Sequence, residues 1–247
     1  MIRMLLQSSV LAGVVLVLAL PAMGSRNRGW ILASALIAFV YSVAIFLPIA
    51  FPHLLPVLGH EWNWTGKLVS IAATSLMVAL LLAFAGFRAA DFGLTLRQAP
   101  GTGKAIVFAI VPFLILIGAL VWKMSPHGSW PNAETLGYQA SLPGIDEEFF
   151  FRGLLLAVFD RMFPAKGNVL GAKMGYGAIA ISIAFGLGHA ILFDKSLNVH
   201  FEIIEGVFAG VTGFVLVWIR ARTQSLVLPI LTHNAVNLLN FLVPAVI

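Results

Sequence analysis

The sequence predicts an all-α polytopic membrane protein with about eight transmembrane helices. Hydrophobic residues make up 60% of its 247 residues and charged residues only 10%, whereas about a quarter of the residues in a soluble domain are charged. The apolar runs approach the roughly 20 residues that a helix needs to cross a bilayer. The chain has no cysteine, which excludes thiolate catalysis and a disulfide framework.

Short polar connections separate the apolar runs, which cover roughly residues 4–23, 29–51, 66–87, 104–124, 141–163, 174–193, 203–221 and 224–246. The first run resembles a secretory signal peptide, but its apolar stretch of about 17 residues exceeds the usual h-region of about 7–15. Arg26 and Arg28 follow it directly and oppose translocation of that flank. We therefore expect an uncleaved first helix.

The predicted spans fall into three parts. Residues 1–87 are expected to hold three N-terminal helices, residues 88–103 a segment along the membrane interface, and residues 104–247 a second membrane domain of five helices. The loop 125–140 reads as irregular. The net charge of +5 comes from cations between the apolar runs, which indicates membrane topology and not nucleic-acid binding.

Lysine and arginine are distributed unevenly between the two sets of loops. Ten fall on one side and four, Lys67 among them, on the other. By the positive-inside rule this places both termini outside the cytoplasm.

The fifth apolar run contains a dense group of charges. A charged side chain at the centre of a membrane helix costs about 2.5–3.5 kcal/mol on insertion scales, so such residues are functional candidates. In a helix, Glu148 and Arg152 are four residues apart and share a face. Arg152 should therefore hold Glu148, which leaves Glu147 free to meet a reactant. We expect Asp146 to be a helix N-terminal charge favoured by the dipole.

Two further polar groups lie on other predicted helices. His189 ends the sixth run, four residues after Phe185, and His233 and Asn237 lie four residues apart in the eighth. A carboxylate, two imidazoles and an amide form a complete hydrolytic set. A carboxylate can take a proton from water that a neighbouring histidine orients, while a second histidine and an amide can donate hydrogen bonds to the oxyanion.

Other interpretations stay open. Glu147, His189 and His233 could instead ligate zinc as a site of two histidines and one carboxylate. The charged group could be the proton or ion relay of a transporter, although the chain shows no convincing internal repeat. The chain could also be a catalytically silent scaffold, with its polar residues joining helices.

The polar residues form three motifs on separate helices: Glu147-Glu148-x-x-x-Arg152, Phe185-x-x-x-His189 and His233-x-x-x-Asn237. In this order they resemble the signature motifs of the CPBP (CAAX protease and bacteriocin-processing, or ABI) intramembrane proteases, which include the type II CAAX prenyl endopeptidases. The resemblance covers about residues 90–245 and implies an eight-helix endopeptidase, with residues 104–247 as the catalytic domain. It implies that Glu147 and His189 activate water and that His233 and Asn237 stabilise the oxyanion.

The resemblance also implies the partners: a membrane-embedded or lipidated peptide or protein substrate and the lipid bilayer, with no nucleic acid. Metal dependence stays open, because members of the family were first described as metalloproteases. The compact, loop-poor sequence suggests a bacterial cytoplasmic membrane. In the prenyl proteases the active cavity opens to the cytosol, whereas the charge count puts Glu147 nearer the outer side.

Overall fold

Long apolar stretches form helices that run back and forth in the computed structural model, which describes residues 1–24, 27–55, 58 and 61–246. Arg26, which contributed to the charge count, lies outside these residues. The helices, labelled in chain order, are α1 (Ile2–Ala19), α2 (Arg28–Ala50), α3 (Trp64–Phe84), α4 (Thr102–Met124), α5 (Ala133–Gln139), α6 (142–162), α7 (Tyr176–Ala190), α8 (Ile203–Thr223) and α9 (Val227–Val246).

The prediction of an all-α polytopic membrane protein is confirmed. Within the described residues, six helices are each long and apolar enough to cross a bilayer: α1 with the 3₁₀ turn Leu20–Ala22, α2, α3, α4, α8 and α9. The other two predicted spans are α6, which carries the charged group, and α7. At 15 residues, α7 rises only about 22 Å and is shorter than a typical bilayer core.

The helix α6 changes its winding where the charged motif lies. It begins as an α-helix at Leu142–Glu147, continues as a π-helix at Glu148–Leu155 and ends as an α-helix at Leu156–Met162. Short π segments inside α-helices are frequently found at functional sites. The motif is therefore displayed from a segment whose side-chain directions differ from those of a plain α-helix.

The start of α6 is tied to the side of α9. Asn234 accepts a hydrogen bond from the backbone N–H of Gly144 at 2.9 Å and donates one to the carbonyl of Ser141 at 3.1 Å. A Cβ atom at Gly144 would overlap this amide, so only glycine permits the close approach. These contacts set the depth of the charged motif relative to α9.

Helices α7 and α8 pack closely through small residues. A Cβ atom on Gly186 would lie 3.0 Å from the Cα of Gly210 and only 2.6 Å from the carbonyl oxygen of Gly206, which is too close for any side chain. Gly206 and Gly210 therefore belong to a packing surface of small residues on α8, as membrane helices commonly use.

Short elements connect the helices. The loop expected to be irregular contains α5. Two antiparallel hairpins, β1 (Gly167–Val169) with β2 (Ala172–Met174) and β3 (Ile191–Phe193) with β4 (Val199–Phe201), follow α6 and α7. The segment 88–103 includes a 3₁₀ turn at Ala89–Phe92, where the fully buried Phe92 joins the main hydrophobic core. It is thus anchored in the protein through Phe92.

Candidate active site

Three of the predicted catalytic side chains meet at one point, although they come from α6, α7 and α9. The Oε2 atom of Glu147 lies 4.0 Å from Nε2 of His189 and 3.8 Å from Nε2 of His233. This oxygen is buried and has no hydrogen-bond partner among the described residues. The other oxygen, Oε1, accepts a 2.6 Å hydrogen bond from Nζ of Lys67.

The hydrogen bonding of His189 sets the tautomer of its ring and makes the nitrogen that faces Glu147 a hydrogen-bond acceptor. Nδ1 of His189 lies 2.8 Å from the backbone carbonyl oxygen of Phe185. A carbonyl only accepts, so Nδ1 carries the hydrogen and Nε2 of the neutral ring presents its lone pair. The ring of Phe185 lies 4.5 Å from the imidazole, centre to centre, and helps to hold it.

Glu148 takes a different role from its neighbour. Its Oε1 accepts hydrogen bonds from Nη1 of Arg152 at 2.9 Å and from Nδ1 of His233 at 2.7 Å. Glu148 and Arg152 are fully buried. The predicted pair of Glu148 and Arg152 is present, and it extends to the imidazole that faces Glu147.

The expectation for Asp146 was wrong. It is not a helix-end charge, because its carboxylate is fully buried and accepts three hydrogen bonds. Tyr41 donates one at 2.9 Å, Lys67 one at 2.8 Å and Ser70 one at 2.6 Å. These partners come from α2 and α3, so the N-terminal helices reach the candidate site.

Sequence reasoning missed Lys67 and Tyr41. Lys67 was counted among the loop cations, but it lies in the first turn of α3 and is buried. A usable signal existed, because a cation inside an otherwise apolar span is a functional candidate by default. Tyr41 carried no comparable signal, since a tyrosine in an apolar run is ordinary.

The second predicted oxyanion donor, Asn237, lies one turn beyond His233 on α9 and is half-buried. In the described part of the chain its amide makes no hydrogen bond, whereas the amide of Asn234 is used to hold the start of α6. The Asn234 amide therefore has a structural role, and of the two amides in this motif only that of Asn237 is available to a ligand.

A cavity of about 120 Å³ borders the site and is lined by Glu147, His189 and residues of α1 and α2. A second cavity of about 240 Å³ shares Gln7, Phe46 and Leu192 with it and reaches the N-terminal end of α1. The side-chain amide of Gln7 makes two hydrogen bonds to the backbone of β3. It donates to the carbonyl of Ile191 and accepts from the N–H of Phe193. The two cavities mark a mainly apolar route to Glu147.

The arrangement does not support the expected zinc alternative. No group of three or more His, Asp or Glu side chains within the described ranges is placed to hold a metal ion. The ammonium of Lys67 already lies 2.6 Å from the Glu147 carboxylate, and its positive charge opposes a second cation there. The residues present therefore do not fit a zinc site.

Comparison with known proteins agrees with the three motifs. Residues 128–239 match the family described as type II CAAX prenyl endopeptidase Rce1-like, a range that contains Glu147, His189, His233 and Asn237. No curated protein and no solved structure matches the chain. The match of residues 128–239 supports assignment of the chain to the CAAX-type intramembrane proteases.

Proposed function

We propose that this protein is an endopeptidase that hydrolyses peptide bonds of membrane-associated or lipidated substrates with a water activated by Glu147. The observation that carries the proposal is the position of Glu147 Oε2, which faces His189 Nε2 at 4.0 Å and His233 Nε2 at 3.8 Å. These separations are too long for direct hydrogen bonds and short enough for one water molecule to join the groups.

The proposed water donates one hydrogen to Glu147 Oε2 and the other to the lone pair of His189 Nε2. In the reaction, the water oxygen forms a bond to the scissile carbonyl carbon while its proton passes to Glu147. The tetrahedral intermediate then loses its nitrogen as the C–N bond breaks, and Glu147 returns the proton to the leaving amine. A positioned base of this kind contributes roughly 10²–10⁴-fold to the rate.

The proposed oxyanion donors are His233 and Asn237. Because Nδ1 of His233 is committed to Glu148, Nε2 can donate only when the ring is an imidazolium. The Glu148 carboxylate at 2.7 Å is the counter-ion that such a cation needs. Asn237 supplies an amide N–H from the same side of α9, so the developing negative charge would meet one cationic and one neutral donor.

The surroundings of the site suit a membrane-bound substrate. The route to Glu147 passes between α1, α2 and β3 and is lined mainly by apolar side chains. We infer that residues 104–247 carry the catalytic groups and that the protein works in a cytoplasmic membrane of bacterial type. The proposed chemistry needs no zinc.

The test uses the purified full chain in detergent with a library of quenched fluorescent membrane peptides, each in farnesylated and unmodified form. Wild-type protein should cleave, and Glu147→Gln, which keeps the size of the side chain and removes the base, should lose at least about 10²-fold in kcat. Cleavage should survive a chelator. Equal cleavage by both proteins, or none by the wild type, would overturn the proposal.

A further inference from the structure

We infer that Lys67 is a positioning residue for catalysis, which holds the Glu147 carboxylate so that its free oxygen faces the two histidines. This inference rests on the function proposed above. Lys67 lies on α3, outside the residues 128–239 that match the protease family. The proposed positioning residue therefore comes from the part of the chain that the family match does not cover.

The ammonium of Lys67 sits between two acids. Its Nζ lies 2.6 Å from Glu147 Oε1 and 2.8 Å from Asp146 Oδ2, and only a tenth of its side chain is exposed. Hydrogen bonds between charged groups in a buried site are about twice as strong as neutral ones. Glu147 is therefore held at one oxygen, while the other, Oε2, stays free for the reaction.

The lysine is itself held in place. Asp146 accepts a hydrogen bond from Tyr41 at 2.9 Å and one from Ser70 at 2.6 Å, in addition to that of Lys67. The ring of Tyr41 stacks on Phe150 with centres 3.6 Å apart. A continuous chain of hydrogen bonds therefore leads from α2 and α3 through Asp146 and Lys67 to Glu147. Every hydrogen bond in this chain is buried or nearly so.

The arrangement has a clear chemical purpose. A carboxylate with no partner on Oε1 could rotate about its side-chain bonds and pair directly with an imidazole, which would remove the space for the water. A misplacement of about 1 Å in a catalytic group can reduce the rate by about 10²-fold. Loss of Lys67 should therefore lower kcat and leave KM largely unchanged, because the lysine does not line the described cavities near Glu147.

The first variant is Lys67→Met, tested in the full chain on a peptide that the wild type cleaves. We expect kcat to fall by about 10²-fold with KM within about threefold. Lys67→Arg, which retains the cation, should recover much of the rate. Lys123→Met, which removes an exposed lysine at the end of α4, is the matched control and should behave as wild type.

Because Lys67→Met leaves Asp146 buried without its counter-charge, it could misfold. The double variant Lys67→Met with Asp146→Asn removes both charges and keeps the hydrogen-bonding groups of Tyr41 and Ser70. It should remain folded and show the same loss of kcat. Wild-type kcat in a folded Lys67→Met or double variant would overturn the inference, while the Glu147→Gln result decides the proposed function separately.

A structure of the double variant provides a measurement that needs no substrate. The inference expects the Glu147 carboxylate to turn away, so that Oε2 no longer faces both imidazoles at about 4 Å. If Glu147 keeps the distances to His189 and His233 found in the wild type, Lys67 does not position it and the inference fails.

Discussion

The guanidinium of Arg152 lies 4.2 Å from the centre of the Phe185 ring, so two residues of separate motifs, on α6 and α7, are in direct contact. The contact helps to explain how a buried arginine is tolerated. Only Nη1 has a hydrogen-bond partner in the described chain, and Nε and Nη2 have none. The charge is balanced by Glu148 and by the face of the aromatic ring.

Replacing Arg152 with alanine should lower the free energy of unfolding. The change leaves Glu148 buried without its cation, and removing one member of a buried ion pair costs about 3–5 kcal/mol. The free energy of unfolding can be measured by denaturant titration in detergent. Arg97→Ala removes an exposed arginine and is the control. If the two variants unfold alike, the buried pair does not contribute to stability as described.

Replacing Asn237 with alanine should lower kcat by about 10²–10³-fold, the usual effect of losing one oxyanion donor, with little change in KM. Asn240→Ala is the matched control, because Asn240 lies three residues further along α9 and is exposed. Steady-state kinetics on a cleaved peptide separate the two. An Asn237→Ala protein with wild-type kcat would remove this amide from the mechanism.

Replacing Gly186 with alanine should separate α7 from α8 and displace His189 from Glu147. The added Cβ would lie 2.6 Å from the carbonyl oxygen of Gly206, and overpacking of this kind costs about 1–3 kcal/mol. We expect a lower unfolding temperature and lower activity together. Gly13→Ala on α1 meets nothing within 4 Å and should be neutral, so equal behaviour of the two variants would contradict the close packing.

The side on which the cavity opens can be tested by single cysteines, because the chain has none. With the buried Lys67 and Arg220 left out, the loop cations divide nine against three, and by the positive-inside rule we expect the end that carries Glu147 outside the cytoplasm. Ser196→Cys, in the hairpin beside the cavity, should react with a membrane-impermeant maleimide on intact cells. Lys173→Cys, in the opposite hairpin, should react only after lysis. The reverse pattern would place the cavity in the cytosol, as in the prenyl proteases.

The β3–β4 hairpin should respond to acid. Hydrogen bonds from His200, Asn198 and Ser196 lower the pKa of Asp194 from its ordinary value of 3.8 to about 2. A lowered pKa means that the stabilisation is full above about pH 4 and is lost as the pH falls through about 2. The titration of the Asp194 side-chain carbon, followed by NMR in the full chain, should have its midpoint near 2. A midpoint near 4 would contradict these bonds.

Much of the architecture could be predicted because it depends on hydropathy, which is local in sequence. The spans and the ion pair of Glu148 with Arg152 follow from composition and from helical spacing. The convergence of Glu147, His189 and His233 could be expected only because three polar motifs on apolar helices have few ways to avoid the lipid. Their catalytic roles stay predictions that the kinetic experiments test.

The remaining features depend on packing between distant parts of the chain. Asp146 was misread because nothing adjacent in sequence indicates that Lys67, 79 positions earlier, would reach it. The bond between Glu148 and His233 spans 85 positions and is equally invisible to helical spacing. The π segment of α6 also alters which side chains share a face, and no simple residue pattern announces it.

The ion pair between α3 and α6 has a consequence for protein engineering. A fragment made of residues 104–247 would keep the signature motifs and yet contain Asp146 and Glu147 without the ammonium that neutralises them. Two anions would then face each other in a lipid-enclosed interior, and the simplest relief would be for that part of the fragment to open or to take up protons. A minimal version of this protease must therefore retain its third helix, or borrow a cation from a partner chain.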